Sequence, residues 1–314
     1  MWAYILKRIL ATIPVMGVVA LFVFLMLRLS PGDPAAVIAG DYATAEDIVR
    51  IRQQLGLNEP IIVQFVQWIG QLARGDLGIS IFTNLPVTTL IAQRLEPTIL
   101  LTLTTIIFTV VVAVPLGTIA AWKAGSLIDR FVMLFSVAGF SVPVFVLGYI
   151  LIYIVSMQLQ WLPVQGYRSP VSDGVWPFTR HIILPTVTLS VIFIALIARM
   201  TRASVMEVLQ EDYVRTARAK GQSEMKVLTR HALRNAAVPI VTVIGLGIAL
   251  LIGGVVVTEG VYNIPGLGRL VLDAVLKRDY PIIQGLILLF SFVYILINLV
   301  IDLSYTLFDP RIRY

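Results

Sequence analysis

The chain has 314 residues, of which 58% are hydrophobic and only 13% are charged, whereas a soluble domain carries about 25% charged residues. This composition excludes a water-soluble globule, and despite a net charge of +6 the apolar content favours membrane lipid over nucleic acid as the partner. The sequence has no cysteine and two histidines, which excludes disulfides, thiol chemistry and a histidine-rich metal centre.

Six stretches free of charged side chains are long enough to cross a membrane as helices, which takes about 20 residues. The first follows Lys7 and Arg8 and lacks the small-residue cleavage site of a signal peptide, so we expect a retained anchor. The third is long enough for one span and an apolar loop. In chain order the stretches are 9–27, 97–122, 131–167, 182–198, 235–258 and 280–301.

The distribution of basic residues predicts the orientation of these spans. Cytoplasmic loops are enriched in Lys and Arg. If the N-terminus is inside, 14 of the 24 basic residues fall in cytoplasmic segments. We therefore predict an all-α membrane protein with six transmembrane helices and with both termini in the cytoplasm.

The largest external segment, residues 31–95, is expected to form a small folded subdomain. Residues 45–55 have the pattern of a polar helix, with Thr44 as N-cap and Asp47 in the first turn. Residues 60–73 have apolar positions at helical spacing and predict a second helix. The glycines of the following Gly75-Asp-Leu-Gly78 indicate a turn. The other external segments are 159–181 and 258–279.

The sequence lacks the features that power or catalyse a reaction. No predicted span interior holds Asp, Glu, Lys or Arg, although ion-coupled carriers place titratable groups there. There is no G-x-x-x-x-G-K-[ST] loop for ATP and no H-E-x-x-H motif. A membrane protease using Ser141 and His181 rests on a nonspecific match. We predict a transport protein that is not an enzyme and draws its energy from a partner; an ATP-independent carrier or channel is the alternative from another class.

Residues 201–235, called the basic loop below, carry seven Lys or Arg against four acidic residues. Residues 203–220 predict a helix without a breaker. Gly221 suits its C-cap, and Ser223 can cap a second helix that runs to Arg234. A helix-turn-helix of this size is suited to docking on another protein. Charge alone would equally allow a loop that binds anionic lipid headgroups.

The order of residues in the basic loop resembles a known family. Residues 211–221 (EDYVRTARAKG) and 231–235 (HALRN) are similar to the "EAA" loop of type I ABC importer permeases. Ala217, Gly221 and Leu233 match that motif. Arg215 and Thr216 replace its Glu and first Ala, and Arg234 stands where many sugar and amino-acid permeases have proline. These departures are typical of the peptide/nickel branch, which includes dipeptide, oligopeptide and glutathione permeases.

The resemblance extends over nearly the whole chain. In order, its further motifs are Pro31-Gly-Asp-Pro34, Leu55-Gly-Leu57, Gly75-Asp-Leu-Gly-Ile-Ser80, Pro265-Gly-Leu-Gly-Arg269, Arg278-Asp-Tyr-Pro281 and Asp309-Pro-Arg-Ile-Arg313. It implies the MetI-like ABC type-1 permease fold. The expected divisions are a first transmembrane helix at 1–30, an external or periplasmic subdomain at 31–95, a permease core at 96–304 containing the basic loop, and a cytoplasmic tail at 305–314.

The resemblance also implies a mechanism and partners. This chain would form half of a translocation pathway in a bacterial inner membrane and work by alternating access. Its partners would be a homologous second permease, two ATPase subunits that bind ATP and Mg²⁺, and an external solute-binding protein; this chain would bind no cofactor and no metal. The cargo would be dipeptides or oligopeptides, with nickel, glutathione or an oligosaccharide as alternatives.

Two sets of residues follow from this interpretation. The first would transmit force to an ATPase and comprises Asp212, Tyr213, Arg215, Ala217, Arg218, Lys220, Gly221, Gln222 and Ser223. In that set, Arg215, Arg218 and Lys220 would pair with carboxylates of the ATPase. The second comprises polar residues within the spans that are candidates to line the pathway: Ser136, Ser141, Thr186, Ser190 and Asn298. Polar residues of this kind also serve as helix-packing contacts.

Overall fold

A computed structural model of the chain describes residues 2–28, 34–39, 44–54 and 56–308. Within these ranges the regular structure is helical, apart from one isolated β-bridge between Ile79 and Pro86. The prediction of an all-α protein is confirmed. Residues 31–33, Leu55 and residues 309–314, which carry parts of three of the predicted motifs, lie outside the described residues.

Thirteen α-helices and two π-helical turns make up the described chain. The α-helices are α1 (Trp2–Arg28), α2 (Pro34–Ala39), α3 (Ala45–Gln54), α4 (Ile61–Ala73), α5 (Val87–Trp122), α6 (Leu127–Ser141), α7 (Val144–Leu151), α8 (Val175–Leu209), α9 (Asp212–Ala219), α10 (Glu224–Lys226), α11 (Ala237–Val261), α12 (Leu267–Lys277) and α13 (Tyr280–Phe308). The π-helical turns, Ile152–Gln158 and Val227–Leu233, continue α7 and α10 respectively. The chain divides into two compact units.

The first unit comprises residues 1–95 and 269–296. The helices predicted at 45–55 and 60–73 are present as α3 and α4. Thr44 caps α3: its hydroxyl accepts a hydrogen bond from the Asp47 backbone N–H at 3.2 Å, and the Asp47 carboxylate accepts one from the Thr44 backbone N–H at 3.2 Å. The hydrogen bond from the Thr44 hydroxyl lowers the pKa of Asp47 below its ordinary value. This reciprocal capping fixes the start of α3.

Aromatic packing joins α1 to α4 within the first unit. The ring of Phe24 lies 5.1 Å from that of Phe65 in an edge-to-face arrangement and 5.6 Å from that of Trp68. Further along the chain, the Ser80 hydroxyl donates a 2.6 Å hydrogen bond to the buried carboxylate of Asp279. These contacts hold segments together that lie far apart in sequence.

The second unit comprises residues 96–268 and 297–314, and α8 is its central helix, packed against α6, α7 and α11. Leu189 and Phe193 of α8 belong to a buried cluster that also contains Leu251 of α11 and Tyr262. The Tyr262 hydroxyl lies 2.6 Å from that of Thr188, so the one polar atom of this buried side chain is satisfied.

The predicted spans recur in the structure with one unexpected feature. Helices α5, α8 and α11 and residues 280–304 of α13 are long and apolar enough to cross a membrane, and a fifth span results if the bent pair 127–141 and 144–158 counts as one. The first predicted span lies in α1, where the described apolar stretch Leu10–Met26 is shorter than about 20 residues. The total of six spans therefore stays a prediction.

The unexpected feature is a 104° bend between α6 and α7, in the stretch predicted to hold one span and a loop. Val142 has an extended backbone, with φ −95° and ψ 120°, and Pro143 is the N-cap of α7. Proline removes a backbone donor and disfavours helical geometry in the residue before it, which explains why α6 ends at Ser141. Ser141, Val142 and Pro143, called the bend below, are exposed on this chain.

Candidate functional site

The basic loop does not contain the single helix predicted at 203–220. Helix α8 continues to Leu209, and α9 starts only at Asp212 after Glu211, which is extended at φ −67° and ψ 145°. The turn allows Val214 and Ala217 of α9 to be buried, at 0% and 8% exposure. Helix propensity is a weak preference that such burial overrides, so the predicted continuous helix is wrong.

The end of α9 is a Schellman motif built around Gly221. The backbone N–H of Gly221 donates to the carbonyl of Arg218 at 2.9 Å, and that of Gln222 donates to the carbonyl of Ala217 at 3.2 Å. Gly221 has φ +75°, a conformation that residues with a Cβ adopt at a cost. The expectation that Gly221 ends this helix agrees with this geometry.

Ser223 begins the second helical segment, but without the predicted side-chain cap. Its backbone is extended, at φ −66° and ψ 144°, and its hydroxyl makes no capping hydrogen bond. The segment continues as α10 and the π-helical turn Val227–Leu233. π-helical turns frequently occur at functional sites.

Charged groups of α9 are partly engaged within the chain. Arg218 forms two hydrogen bonds with the Glu224 carboxylate, and Arg215 lies 3.4 Å from the Asp212 carboxylate. Arg218 is therefore already paired on its own chain, whereas the sequence suggested that it would pair with an ATPase. Lys220 is exposed at the end of α9.

Tyr213 connects α9 to the end of the second segment. Its side chain is 42% exposed, and it forms a hydrogen bond with the Asn235 side chain, which in turn donates to the carbonyl of His231 at 2.7 Å. Burial raises the pKa of Tyr213, partly offset by the bond to Asn235. A neutral phenol therefore faces outward beside the charged groups of α9.

The basic loop rests on the helices of the second unit. Val205 of α8, Ala232 and Ala236 belong to one buried cluster with Ala121 of α5 and Ile240 of α11. In α9 itself, the residues other than Val214 and Ala217 are exposed. The predicted force-transmitting residues, 212–223, thus lie together on one short helix and its terminal turn.

Three of the five predicted pathway residues, Ser136, Ser141 and Ser190, donate their hydroxyl to a carbonyl of their own helix, and for Ser190 that carbonyl belongs to Thr186. Ser136 and Ser190 are buried, and their hydroxyls donate to carbonyls one turn earlier in their own helices, at 2.8 and 2.6 Å. The hydroxyl of Thr186 lies 2.9 Å from that of Thr104 across the α5–α8 contact. Asn298 is half-buried on α13. Ser141 alone of these five is exposed, and it lies in the bend.

Sequence reasoning missed two buried acidic residues at the ends of spans. Asp129 forms an ion pair with Arg202. Glu259, fully buried, accepts a 2.6 Å hydrogen bond from Thr98, and a Cβ on Gly266 would overlap its carboxylate. Glu259 lies one residue after a charge-free stretch and Asp129 lies two residues before one. This position is the signal of burial that the sequence offers.

Both halves of the chain match a known family of membrane transport proteins. Residues 113–314 match the family described as binding-protein-dependent transport system inner membrane component, and residues 1–102 match the family of its N-terminal region. Together these two matches cover most of the chain.

Two relatives that match this chain over nearly its full length are named as transport permeases. The probable peptide ABC transporter permease protein y4tP of Sinorhizobium fredii (strain NBRC 101917 / NGR234) is 59% identical over 314 residues, covering 100% of each chain. The glutathione transport system permease protein GsiC of Escherichia coli (strain K12) is 47% identical over 311 residues, covering 99% of each chain.

A solved structure of the MetNI methionine ABC transporter in an inward-facing conformation is similar in fold. The TM-score is 0.57 at 18% identity, and the match covers 71% of this chain and 97% of that one. The predicted MetI-like fold is confirmed.

Proposed function

The chain belongs to the family of binding-protein-dependent transport system inner membrane components, and from this membership we propose that it imports dipeptides or oligopeptides. It is a permease subunit of an ATP-driven importer and a multi-pass protein of the bacterial inner membrane. The peptide cargo is supported by the relative that is 59% identical over the full length. Glutathione, itself a peptide, is the second candidate, because relatives named for it are 47% identical.

In the proposed mechanism the basic loop carries force from an ATPase into the membrane helices. The observation that carries this step is α9, which buries Val214 and Ala217 on its own chain and leaves its other residues exposed for a partner. Closure of the ATPases on ATP displaces α9, and the permease switches between inward-open and outward-open states. Residues 212–223 perform no chemistry. ATP and Mg²⁺ bind to the ATPases, and this chain binds no cofactor.

The importer is proposed to contain two permeases, two ATPase subunits and an external binding protein. This chain forms half of the pathway. The external binding protein selects the peptide, so the pathway needs little selectivity of its own. Residues 31–95 and 258–279 are proposed to meet the binding protein.

We assign the bend to the wall of the pathway. Non-helical backbone at membrane depth is tolerated only where protein buries it or where it lines a water-filled cavity. The bend interrupts an apolar span and is exposed on this chain, together with the neighbouring rings of Phe140 and Phe145 at 47% and 49% exposure. The last carbonyls of a helix lack intrahelical partners, so the end of α6 at Ser141 would offer a passing peptide hydrogen-bond acceptors that do not depend on the peptide's side chains.

Purification and reconstitution test the proposal. A tagged chain expressed with its partners should copurify with a second permease and with ATPase subunits. In proteoliposomes supplied with the binding protein and ATP, a labelled dipeptide should accumulate, and excess glutathione should compete only if glutathione shares the pathway. Transport by the isolated chain without an ATPase would instead establish the ATP-independent carrier or channel.

A further inference from the structure

A bidentate ion pair joins α6 to α8 at the start of the basic loop. The Arg202 guanidinium donates from Nε to Oδ1 of Asp129 and from Nη2 to Oδ2, the latter at 2.8 Å. The Asp129 side chain is 6% exposed and that of Arg202 is 22% exposed. Two parallel hydrogen bonds between a planar guanidinium and a carboxylate fix orientation as well as distance. The pair therefore resists both separation and rotation of the two helices at this point.

The same carboxylate also closes the turn between α5 and α6. The backbone N–H of Gly125 donates to Oδ2 of Asp129 at 2.8 Å, and Gly125 has φ +81°. The hydroxyl of Ser126, the N-cap of α6, faces the backbone N–H of Asp129 at 3.4 Å. Asp129 therefore connects the α5–α6 turn, the first turn of α6 and α8.

Close packing between α5 and α8 surrounds Arg202. A Cβ built on Gly117 of α5 would overlap the carbonyl oxygen of Ala198 and lie 2.7 Å from Cβ of Thr201 and 3.1 Å from the backbone nitrogen of Arg202. No side chain fits between the two helices there. Steric contact with α5 and the ion pair to α6 thus both act on the same turn of α8.

This turn lies where α8 enters the basic loop, and through Asp129 it contacts α6, which carries the bend. Arg202 precedes the end of α8 at Leu209 by seven residues, or about 10 Å along the helix. From Asp129, α6 leads to Ser141 and the bend. We propose that the Asp129–Arg202 pair is the joint that transmits displacement of the basic loop to α6, and that both residues are positioning residues for ATP-driven transport. This inference rests on the proposed role of the basic loop.

A buried ion pair alone does not imply this role, because such pairs contribute little net stability. The two bonds of this pair instead fix how α6 and α8 are oriented to each other, and a coupling joint requires such a fixed relation. Without the ion pair, α8 would still pack against α5 through the Gly117 contact. The expected defect is therefore one of coupling, with folding preserved.

Asp129→Asn in the complete reconstituted importer tests the joint, because asparagine keeps an oxygen for Gly125 and removes the charge that binds Arg202. The readouts are peptide transported per ATP hydrolysed, ATP hydrolysis without binding protein, and subunit stoichiometry. Peptide per ATP should fall by about tenfold, a typical size for coupling between sites, while the other two readouts stay near wild type. A proportional loss of transport and hydrolysis would overturn the joint and leave a purely structural pair.

A double variant and a control sharpen the result. Combining Asp129→Asn with Arg202→Gln should be no worse than either change alone, because residues that act as one unit are not additive; additive losses contradict the proposal. Asp173→Asn, which breaks the exposed pair with Arg168, should leave peptide per ATP unchanged. If the Asp129→Asn importer fails to assemble, Arg202→Lys is the alternative test, because lysine keeps the charge and loses the planar fork. Unchanged peptide transport per ATP in Arg202→Lys would refute the joint.

Gly221→Asp separates failure of the joint from failure of the proposed function. If Gly221→Asp also transports normally, the basic loop does not couple the chain to an ATPase. If Gly221→Asp uncouples transport and Asp129→Asn does not, only the joint is wrong.

Discussion

Arg218 and Glu224 form an ion pair across the turn at Gly221, with Nε 2.8 Å from Oε1 and Nη2 3.2 Å from Oε2. The pair spans the two helical segments of the basic loop and braces the turn between them. Its side chains are 39% and 42% exposed, so water and salt screen the attraction. An exposed pair of this kind is worth at most about 1 kcal/mol.

Glu224→Gln should therefore leave stability nearly unchanged and loosen the turn. We expect an unfolding temperature close to wild type, and a weaker complex with the ATPase because the free turn samples other conformations. Titration of ATPase against the permease pair in nanodiscs measures the affinity. Asp173→Asn, which removes an exposed pair with Arg168 outside the basic loop, is the control; equal losses in both variants would exclude a special role for the brace.

Gly221→Asp should uncouple ATP hydrolysis from transport. The residue has φ +75°, and a side chain there strains the Schellman turn although no atom lies within 4 Å of the added Cβ. Hydrolysis should continue while uptake of labelled peptide falls strongly. Gly174→Asp, at φ +91° and with the nearest atom 3.9 Å from the added Cβ, introduces the same kind of strain away from the basic loop and should transport peptide normally.

The bend should be reachable from water in the assembled importer. Because the chain has no cysteine, Ser141→Cys and Val142→Cys each introduce a single thiol, and a membrane-impermeant thiol reagent followed by mass spectrometry of this chain reports its exposure. Both should react, whereas Leu134→Cys on the regular part of α6 should not, since a thiol in lipid stays protonated and unreactive. Unreactive thiols at 141 and 142 would mean that protein covers the bend.

Gly266→Ala should destabilise the second unit. The new methyl group overlaps the carboxylate of buried Glu259, and overpacking of this kind typically costs about 1–3 kcal/mol. Gly260→Ala, where nothing lies within 4 Å of the added Cβ inside α11, should instead be neutral or stabilise by up to about 1 kcal/mol. Thermal unfolding of the two purified variants measures the difference, and equal unfolding temperatures would contradict the packing.

The loop before α8 should lose protection in acid. The backbone N–H of Ser169 donates to the Asp173 carboxylate at 3.0 Å and lowers the pKa of Asp173. A lowered pKa means that the carboxylate stabilises the folded loop above the unfolded pKa of about 3.9, and this stabilisation disappears as pH falls through the lower folded value. The protection factor of the Ser169 amide in hydrogen exchange should drop there, and Asp173→Asn should abolish this pH dependence.

How far the sequence predicted the fold depended on the range of each interaction. Spans and capped helices are local: charge-free runs predicted the apolar helices, and Thr44 with Asp47 predicted the start of α3. The bend was not predictable locally, because Pro97, Pro115 and Pro185 remain inside helices whereas Pro143 does not. In membranes, neighbouring helices decide which proline interrupts a helix.

The candidate site shows the same limit. Gly221 was recognisable because a left-handed turn requires a particular residue type. The Asp129–Arg202 pair joins residues 73 positions apart, and the local sequence shows only two charged residues near the ends of spans. Likewise, Ser136 and Ser190 are polar residues in apolar helices, and the sequence cannot distinguish a lining hydroxyl from one that donates to its own helix, as both do.

Helix α8 has 35 residues, so it is about 52 Å long and exceeds the roughly 30 Å hydrocarbon core of a bilayer. In the proposed mechanism it would act as a lever whose inner arm runs into the basic loop. If α8 pivots near its middle, a tilt of about 10° moves each end by about 4 to 5 Å, given the helical rise. Arg202 lies on the inner arm closer to the pivot than Leu209 does, so Asp129 would receive a smaller displacement with greater force. A helix of ordinary length would lack this mechanical advantage.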